Sequence, residues 1–261
     1  MKKLAIVSTK GGVGKTTITA ELAISLKHRG YSVGALDLDS SSPTLHLAFG
    51  LKEPPKLDVD SKKEQILASY LDKGIELVTM ASQWGPKTRV SWRGSDKGEL
   101  TKQLLGEVIG WSSNLDFLCI DSPPSMSEEI FILAEDKTVV GYIIVTQPQP
   151  MSIADIERLV DFCRAESLPI FGIVSNFDGC ISPQGDIFYP YLGGRVDVEE
   201  WARNHGIPFL GSIPQCSSNE QLAKIFDELA QNIISATPIL LPRYETRKQF
   251  KRESLKIIIG E

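Results

Sequence analysis

The segment Ser8–Thr17 reads Ser-Thr-Lys-Gly-Gly-Val-Gly-Lys-Thr-Thr, a pattern suited to holding a polyphosphate. Its glycines let successive backbone N–H groups point at an anion, and a helix beginning there adds partial positive charge. Lys15 would reach the β and γ phosphates of a nucleotide, and the Thr16 hydroxyl would ligate Mg²⁺. The predicted nucleotide contacts are the loop residues Gly11, Gly12, Val13, Gly14, Lys15, Thr16 and Thr17.

Carboxylates follow two later apolar runs. Asp37-Leu38-Asp39 closes one run, and Asp121 closes the run Asp116–Asp121. Mg²⁺ prefers a few protein oxygens together with retained waters, so we expect Asp121 to hold a metal-bound water. An aspartate after a strand is also a common turn former. The combination with the phosphate loop is what favours a magnesium-nucleotide site.

Short runs rich in Val and Ile alternate with amphipathic stretches along the chain. Unbroken apolar runs are typical of parallel strands covered by helices on both faces. The sequence therefore predicts an α/β fold with a doubly wound, mostly parallel sheet and ligands at the carboxyl ends of its strands. The predicted strands are Leu4–Ser8, Ser32–Asp37, Ile75–Met80, Asp116–Asp121, Val139–Val145, Ile170–Ser175 and Pro208–Ile213. The predicted helices are Thr16–Arg29, Glu99–Ile109, Ser152–Ala165, Val198–Asn204 and Asn219–Ile234.

Glycine, proline and polar residues indicate where the predicted elements begin and end. Gly30 is predicted to end the first helix, and Ser152 with Asp155 resembles a capping box at the start of the third. Residues 81–98 and 176–195 are rich in glycine, proline and aromatic residues and are predicted to be long loops. We expect one domain over residues 1–240, followed by a C-terminal tail at 241–261.

Composition narrows the class of protein. The chain has 261 residues and a formal net charge of −5, which argues against nucleic-acid binding by the whole surface. The apolar run after Lys2 and Lys3 is too short for a secretory signal, so the sequence predicts a cytoplasmic location. The four cysteines lie far apart without a CxxC spacing, which favours neither a disulfide framework nor a zinc ribbon.

The segment Lys10–Thr17 resembles the deviant P-loop of the MinD/ParA/Mrp group of ATPases. The resemblance implies that Lys10 reaches across an ATP-bound homodimer to the partner's phosphates, and that Lys15 and Asp39 are catalytic. It places Asp39 beside Mg²⁺, where it orients the attacking water. Asn176 matches the family asparagine that hydrogen-bonds adenine, and Pro214-Gln215 matches a loop that closes over the base.

Other segments resemble the Mrp/ApbC-type branch of this group. They are Val90–Gly94, Asp121–Pro124, Val145–Gln149 and Gly206–Pro214. That branch carries iron–sulfur clusters on a CPxC motif, and the corresponding stretch here, Cys180-Ile181-Ser182-Pro183, keeps only the first cysteine. Two copies of Cys180 in a dimer give two thiolates, whereas a cluster normally takes four. Two interpretations stay open: Cys180 is a cluster ligand, or it fills a small apolar niche.

The sequence thus predicts a magnesium-dependent, ATP-binding protein and slow ATPase of the Mrp type. It would act as a dimeric switch bound to ATP or ADP, in iron–sulfur cluster assembly or carriage with an unidentified protein client. Two alternatives remain: a positioning ATPase of the MinD/ParA kind, or an ATP-dependent small-molecule kinase or ligase. The basic and apolar tail segment 247–259 either lies on an anionic membrane surface or packs on the body of the protein.

Overall fold

A computed structural model describes residues 1–60, 65–71, 73–82, 94–106, 109–182, 184–191, 194–215 and 218–243. Its helices are α1 Lys15–His28, α2 Leu45–Ala48, α3 Gly94–Leu105, α4 Glu128–Glu135, α5 Pro150–Glu166, α6 Val198–Asn204 and α7 Asn219–Ser235. Its strands are β1 Lys2–Val7, β2 Val33–Asp37, β3 Asp58–Asp60, β4 Gln65–Leu67, β5 Ser69–Tyr70, β6 Ile75–Thr79, β7 Ile109–Gly110, β8 Phe117–Asp121, β9 Val139–Thr146, β10 Ile170–Ile181, β11 Ile187–Phe188 and β12 Phe209–Gln215.

Nine strands form the main sheet, in the order β11-β10-β9-β1-β8-β2-β6-β5, with β12 also paired to β10. The pairs among β12, β10, β9, β1, β8, β2 and β6 are parallel, while the outer strands β5 and β11 pair antiparallel. The polar loops that follow the parallel strands therefore gather at one edge. Strands β3, β4 and β7 form a separate small sheet.

Helices cover both faces of the main sheet, as the alternation along β1 illustrates. Leu4 and Ile6 belong to a core shared with α1, α2 and α7, whereas Ala5 and Val7 belong to a core shared with α3, α4, α5 and α6. All four β1 side chains are fully buried. This arrangement confirms the predicted doubly wound α/β fold.

The structure corrects several predicted boundaries. Helix α5 begins at Pro150 after Gln149, so the capping box expected at Ser152 is wrong; proline is well suited to the first helical turn. The segment predicted as a loop over residues 176–195 is partly sheet, because β10 continues to Ile181 and pairs with β11. The sequence did not predict the short helices α2 and α4.

Two sequence predictions concern segments that lie partly outside the described residues. Of the loop expected at 81–98, residues 83–93 lie outside the described ranges, and α3 already begins at Gly94. Of the expected tail, only 241–243 is described, so its docking on a membrane or on the body stays a prediction. Among the helices that the structure describes, none is long and apolar enough to cross a bilayer.

Candidate functional site

The phosphate loop lies between β1 and α1, where the central strand meets a helix N-terminus. Gly12 and Gly14 have φ values of +76° and +92°, a region that residues with a side chain rarely adopt. No atom lies within 4 Å of the position that a Cβ on Gly12 would take. The loop therefore presents open backbone in front of α1, which is the geometry that an anion needs.

Lys15, the first residue of α1, is buried in this loop. Its Nζ donates to the Ser8 Oγ at 2.9 Å, and that hydroxyl in turn donates to the Lys10 carbonyl at 2.8 Å. Burial lowers the pKa of the Lys15 ammonium, while the neighbouring carboxyl groups of Asp121 and Asp39 act in the opposite direction. The ammonium is thus held at the loop by a hydroxyl and faces two acidic residues.

Thr16 and Asp121 meet across the site. The Thr16 Oγ1 donates to the Asp121 Oδ2 at 2.6 Å, although the two residues are 105 positions apart. Asp121 is only 1% exposed, and its Oδ1 is buried without a hydrogen-bond partner among the described residues. A hydroxyl beside a buried carboxylate with an unused oxygen is a donor set that suits Mg²⁺.

Asp37 and Asp39 shape the turn after β2. The Asp37 carboxylate accepts hydrogen bonds from the Asp39 and Leu45 backbone N–H groups, at 3.0 and 3.1 Å, and from the Thr79 hydroxyl at 2.9 Å. The Asp39 Oδ1 accepts from the N–H groups of Ser41 and Ser42. Asp37 is fully buried and supports the turn, whereas Asp39 is half-buried and near enough to Lys15 to affect its pKa.

The carboxyl groups of Asp37, Asp39 and Asp121 lie close enough together that their charges affect the pKa values of Asp37 and Asp121. Burial, together with the neighbouring Asp37 carboxyl, raises the pKa of Asp121 to about 7 against the Thr16 hydrogen bond and the Lys15 charge. Burial likewise raises the pKa of Asp37 to about 6. Crowded carboxylates with raised pKa values are the expected precursor of a cation site, because a bound divalent ion favours their charged forms.

Asn176 lies against the phosphate loop. Its Nδ2 donates to the Val13 carbonyl at 2.7 Å, and it is so close to Gly14 that a Cβ there would come within 2.2 Å of the amide nitrogen. Asn176 is 5% exposed. The structure thus brings Asn176 to the predicted nucleotide site, with its side chain engaged by the loop itself.

Pro214 and Gln215 differ from their predicted form. They were expected in a loop, but they are the last two residues of β12, because Gln215 pairs in register with Cys180 on β10. The Cys180 Sγ donates to the Gln215 Oε1 at 3.3 Å. Gln215 is therefore a neighbour of the cysteine as well as a residue at the strand end.

Cys180 is partly exposed, whereas Cys119 and Cys163 are buried at 0% and 1% exposure. Cys216 lies outside the described residues. Within the described chain, no group of three or more His, Cys, Asp or Glu side chains is arranged to hold a metal ion. Of the three described thiols only Cys180 is partly exposed, and one such thiol per chain does not by itself complete a cluster site of four thiolates.

The remaining predicted residues lie at the loop or at the start of α1. Lys10 is half-buried, Gly11 and Thr17 are exposed, and Val13 is buried. Sequence reasoning gave no role to Ser8, which bonds Lys15, or to Asp37, which supports Asp39. Small polar residues directly beside the glycine loop and the Asp-Leu-Asp spacing were the available signals.

A second residue group was also missed. Gln147, after β9, donates from Nε2 to the Gly12 carbonyl at 3.4 Å, and Ser40 donates to the Glu129 carboxylate of α4 at 2.7 Å. Ser125, in the turn after Asp121, has a φ of +71°, a backbone region in which glycine is the usual residue. The two hydrogen bonds connect the turn after β9 to the phosphate loop and the turn after β2 to α4.

Comparison with known proteins gives a consistent picture. The family model for ParA, described as a NUBPL iron-transfer P-loop NTPase, matches residues 1–238. A relative from Dictyostelium discoideum, named a cytosolic Fe-S cluster assembly factor NUBP2 homolog, is 36% identical over 221 residues, covering 81% of this chain and 80% of that protein. An iron-sulfur cluster carrier protein from Aquifex aeolicus is 33% identical, covering 95% of this chain and 64% of that protein.

Solved structures agree in fold. A nucleotide-binding protein from Archaeoglobus fulgidus in complex with ADP has a TM-score of 0.68 and 27% identity, covering 92% of this chain and 93% of that one. The cell division ATPase MinD from Pyrococcus furiosus has a TM-score of 0.65 and 21% identity, covering 89% and 98%. The second likeness concerns the fold alone.

Proposed function

This chain belongs to the ParA family of NUBPL-type iron-transfer P-loop NTPases, and we propose that it binds and slowly hydrolyses ATP to drive iron–sulfur cluster assembly or carriage. The observation that carries the proposal is the meeting of three features at the carboxyl edge of the sheet. They are the buried Lys15 ammonium, the bonded pair Thr16 and Asp121, and the Asp39 turn. Such a set is what phosphoryl transfer requires.

Each residue of the site has a separate role in this proposal. The loop N–H groups and the Lys15 ammonium hold the β and γ phosphates, and the low exposure of Lys15 strengthens its attraction for them. Thr16 and Asp121 would hold Mg²⁺, Asp121 through a water molecule. When bound, that ion offsets negative charge on the phosphates. Asp39, fixed by the Ser41 and Ser42 N–H groups, orients the attacking water.

Lys10 completes the site from a second copy in this proposal. Lys15 already serves the phosphates of its own chain, and Lys10 lies five residues earlier on the same loop. A second cation would stabilise charge that develops on the transferring phosphoryl group. We therefore assign Lys10 to the partner's phosphates in an ATP-bound homodimer, with Asn176, Pro214 and Gln215 on the nucleotide base.

The cargo assignment is supported by the relatives' names and by Cys180, the partly exposed thiol among the described cysteines. The names also favour this function over a positioning switch or a small-molecule kinase. The NUBP2 relatives are called cytosolic, which supports the cytoplasmic location predicted from the sequence. Because Cys180 is the one partly exposed thiol among the described cysteines, a second described ligand of this kind would have to come from a second copy of the chain.

Two measurements on the full chain test the proposal. Phosphate release is measured with ATP with and without Mg²⁺, and we expect slow turnover that requires the metal. Iron and sulfide are then added anaerobically, and bound iron is measured after gel filtration by metal analysis and visible absorbance. We expect Cys180→Ser to lose most of the bound iron.

Cys163→Ala is the matched control, because that thiol is 1% exposed in the core. It should bind as much iron as the unmodified chain. No phosphate release would overturn the ATPase assignment. Absence of bound iron, or equal iron in the Cys180→Ser variant, would overturn the cargo assignment to this cysteine.

A further inference from the structure

Strand β10 contains a bulge between the nucleotide site and Cys180. Asn176 pairs with Ile213 of β12 and Cys180 pairs with Gln215, so four steps along β10 oppose two steps along β12. A bulge of this kind leaves residues unpaired and redirects the strand. The inserted segment is Phe177–Gly179, which we call the β10 bulge.

The backbone of the β10 bulge is strained. Phe177 has a φ of +55° and Gly179 a φ of +92°. Glycine adopts this region freely, but a residue with a bulky side chain does so only when its surroundings hold it there. Strained non-glycine residues cluster at active sites, ligand clamps and switch regions, where the strain is part of the mechanism.

Side chains from the segment after β11 hold the bulge in place. The Tyr191 hydroxyl donates to the Phe177 carbonyl and accepts from the Gly179 N–H at 3.0 Å. The Asp178 carboxylate is 3% exposed and is paired with Arg195 at 2.7 Å, and it accepts from the Ser212 hydroxyl at 2.9 Å. The bulge is therefore a built feature of the fold.

Its two ends contact different parts of the proposed machinery. At one end, Asn176 donates to the Val13 carbonyl of the phosphate loop, and the Phe177 ring lies 3.7 Å from the position of a Gly14 Cβ. At the other end, the Cys180 thiol donates to Gln215. Between Asn176 and the thiol lie only the three bulge residues, of which Phe177 has the strained backbone.

We propose that the β10 bulge is a positioning element that couples nucleotide binding to the exposure of the Cys180 thiol. The inference rests on the proposed function in taking the phosphate loop as a nucleotide site. When the Asn176 amide turns to a nucleotide base, it leaves the Val13 carbonyl. The Phe177 backbone relaxes, and Cys180 separates from Gln215. Phe177, Asp178 and Tyr191 act through the strand and not on the nucleotide.

The test measures how fast Cys180 reacts with a maleimide in a Cys216→Ser background, with and without ADP and Mg²⁺. Cys119 and Cys163 are buried and stay silent in the folded chain. ADP is the probe because it carries the base but lacks the γ phosphate around which the proposed dimer closes. We expect ADP to raise the rate by about tenfold, as for a shift between two states of similar free energy.

Tyr191→Phe removes the hydroxyl that holds the bulge. This variant should bind ADP as the parent chain does, but ADP should change the rate at which its Cys180 reacts with the maleimide by less than about twofold. Tyr189→Phe, two residues away, is the matched control and should keep the full response. ADP binding in calorimetry without a faster reaction would overturn this inference alone. A full response in Tyr191→Phe would also overturn it, whereas a chain that binds no ADP would overturn the nucleotide site and this inference together.

Discussion

Asp37 and Asp121 occupy partnered positions on the adjacent parallel strands β2 and β8, so two buried carboxyl groups lie side by side where both strands end. Asp37 is 0% exposed and Asp121 is 1% exposed. Three hydrogen bonds satisfy Asp37, which leaves it a supporting role, while Asp121 keeps a buried oxygen without a described partner. This difference favours Asp121 over Asp37 as the carboxylate that would bind the proposed cation.

Magnesium affinity should therefore depend on pH. The pKa of Asp121 is raised to about 7, and the ion binds its charged form, so protonation competes with Mg²⁺. Between pH 6 and pH 8 the ionised fraction rises by about tenfold, and we expect Mg²⁺ affinity measured by calorimetry with ADP to rise equally. Asp121→Asn should weaken binding and flatten the profile. An unchanged pH slope in that variant would contradict the assignment.

The same raised pKa should affect the stability of the metal-free chain. Because the folded-state pKa of Asp121 exceeds its unfolded value, the folded state binds the proton more tightly. The stabilisation of the folded state by this proton is fully present below about pH 4 and is lost as the pH rises through about 7. Asp121→Asn should thus raise the free energy of unfolding more at pH 8 than at pH 4. Urea denaturation with a chelator measures both changes. A larger benefit at pH 4 would contradict this.

Lys15 and Asp39 should separate binding from turnover. Lys15→Ala removes a buried cation from the phosphates, so we expect phosphate release to fall by at least about a hundredfold and ATP affinity to fall too. Asp39→Ala should keep ATP affinity within a few-fold and abolish turnover, because the proposed role of Asp39 is to orient the attacking water. Calorimetry and phosphate release distinguish these outcomes. Undiminished turnover in Lys15→Ala would be inconsistent with the site.

Lys10 should control assembly. Lys10→Ala is expected to bind ATP but to stay monomeric with Mg²⁺ and ATP, because the proposed phosphate contact of Lys10 lies in the partner. Light scattering with a slowly hydrolysed ATP analogue measures this, and turnover should fall together with the dimer. Lys2→Ala, a loss of charge at the far end of β1, is the control and should dimerise normally. A fully active monomer would exclude the proposed role.

Much of this architecture was predictable because its signals are local. The glycine-rich loop, the apolar strands and the strand-end aspartates each follow from short stretches of sequence, and the structure joins them at one edge. The bulge was not predictable: Asp178 and Gly179 indicate a loop, whereas the segment is held in β10 by the distant residues Tyr191, Arg195 and Ser212 together with strand pairing on either side. Long-range contacts outweighed local preference there.

The start of α5 was predicted wrongly and α4 was not predicted, also because short local patterns decided the prediction. Ser152 and Asp155 match a capping pattern, but α5 already begins at Pro150, whose fixed φ suits a first helical turn. Helix α4 has only eight residues, too few for a clear helical period, although Glu128 and Glu129 in its first turn were a usable signal. The Thr16–Asp121 bond spans 105 positions, so its geometry required the fold.

Lys3 lies at the opposite end of β1 from the phosphate loop. Its Nζ donates to the Leu105 carbonyl at 2.6 Å and to the Asp136 carboxylate at 2.8 Å, with side-chain exposures of 8% and 15% for the pair. Removing one partner of such a buried pair leaves an uncompensated charge, so Lys3→Ala should lower the free energy of unfolding by about 3 kcal/mol. Lys3→Met with Asp136→Leu should recover most of that loss, because both charges are then gone. Lys224→Ala breaks an exposed pair with Glu220 and should change stability by less than about 1 kcal/mol. Urea denaturation measures all three variants, and a Lys3→Ala effect no larger than that of Lys224→Ala would contradict the role of the buried pair.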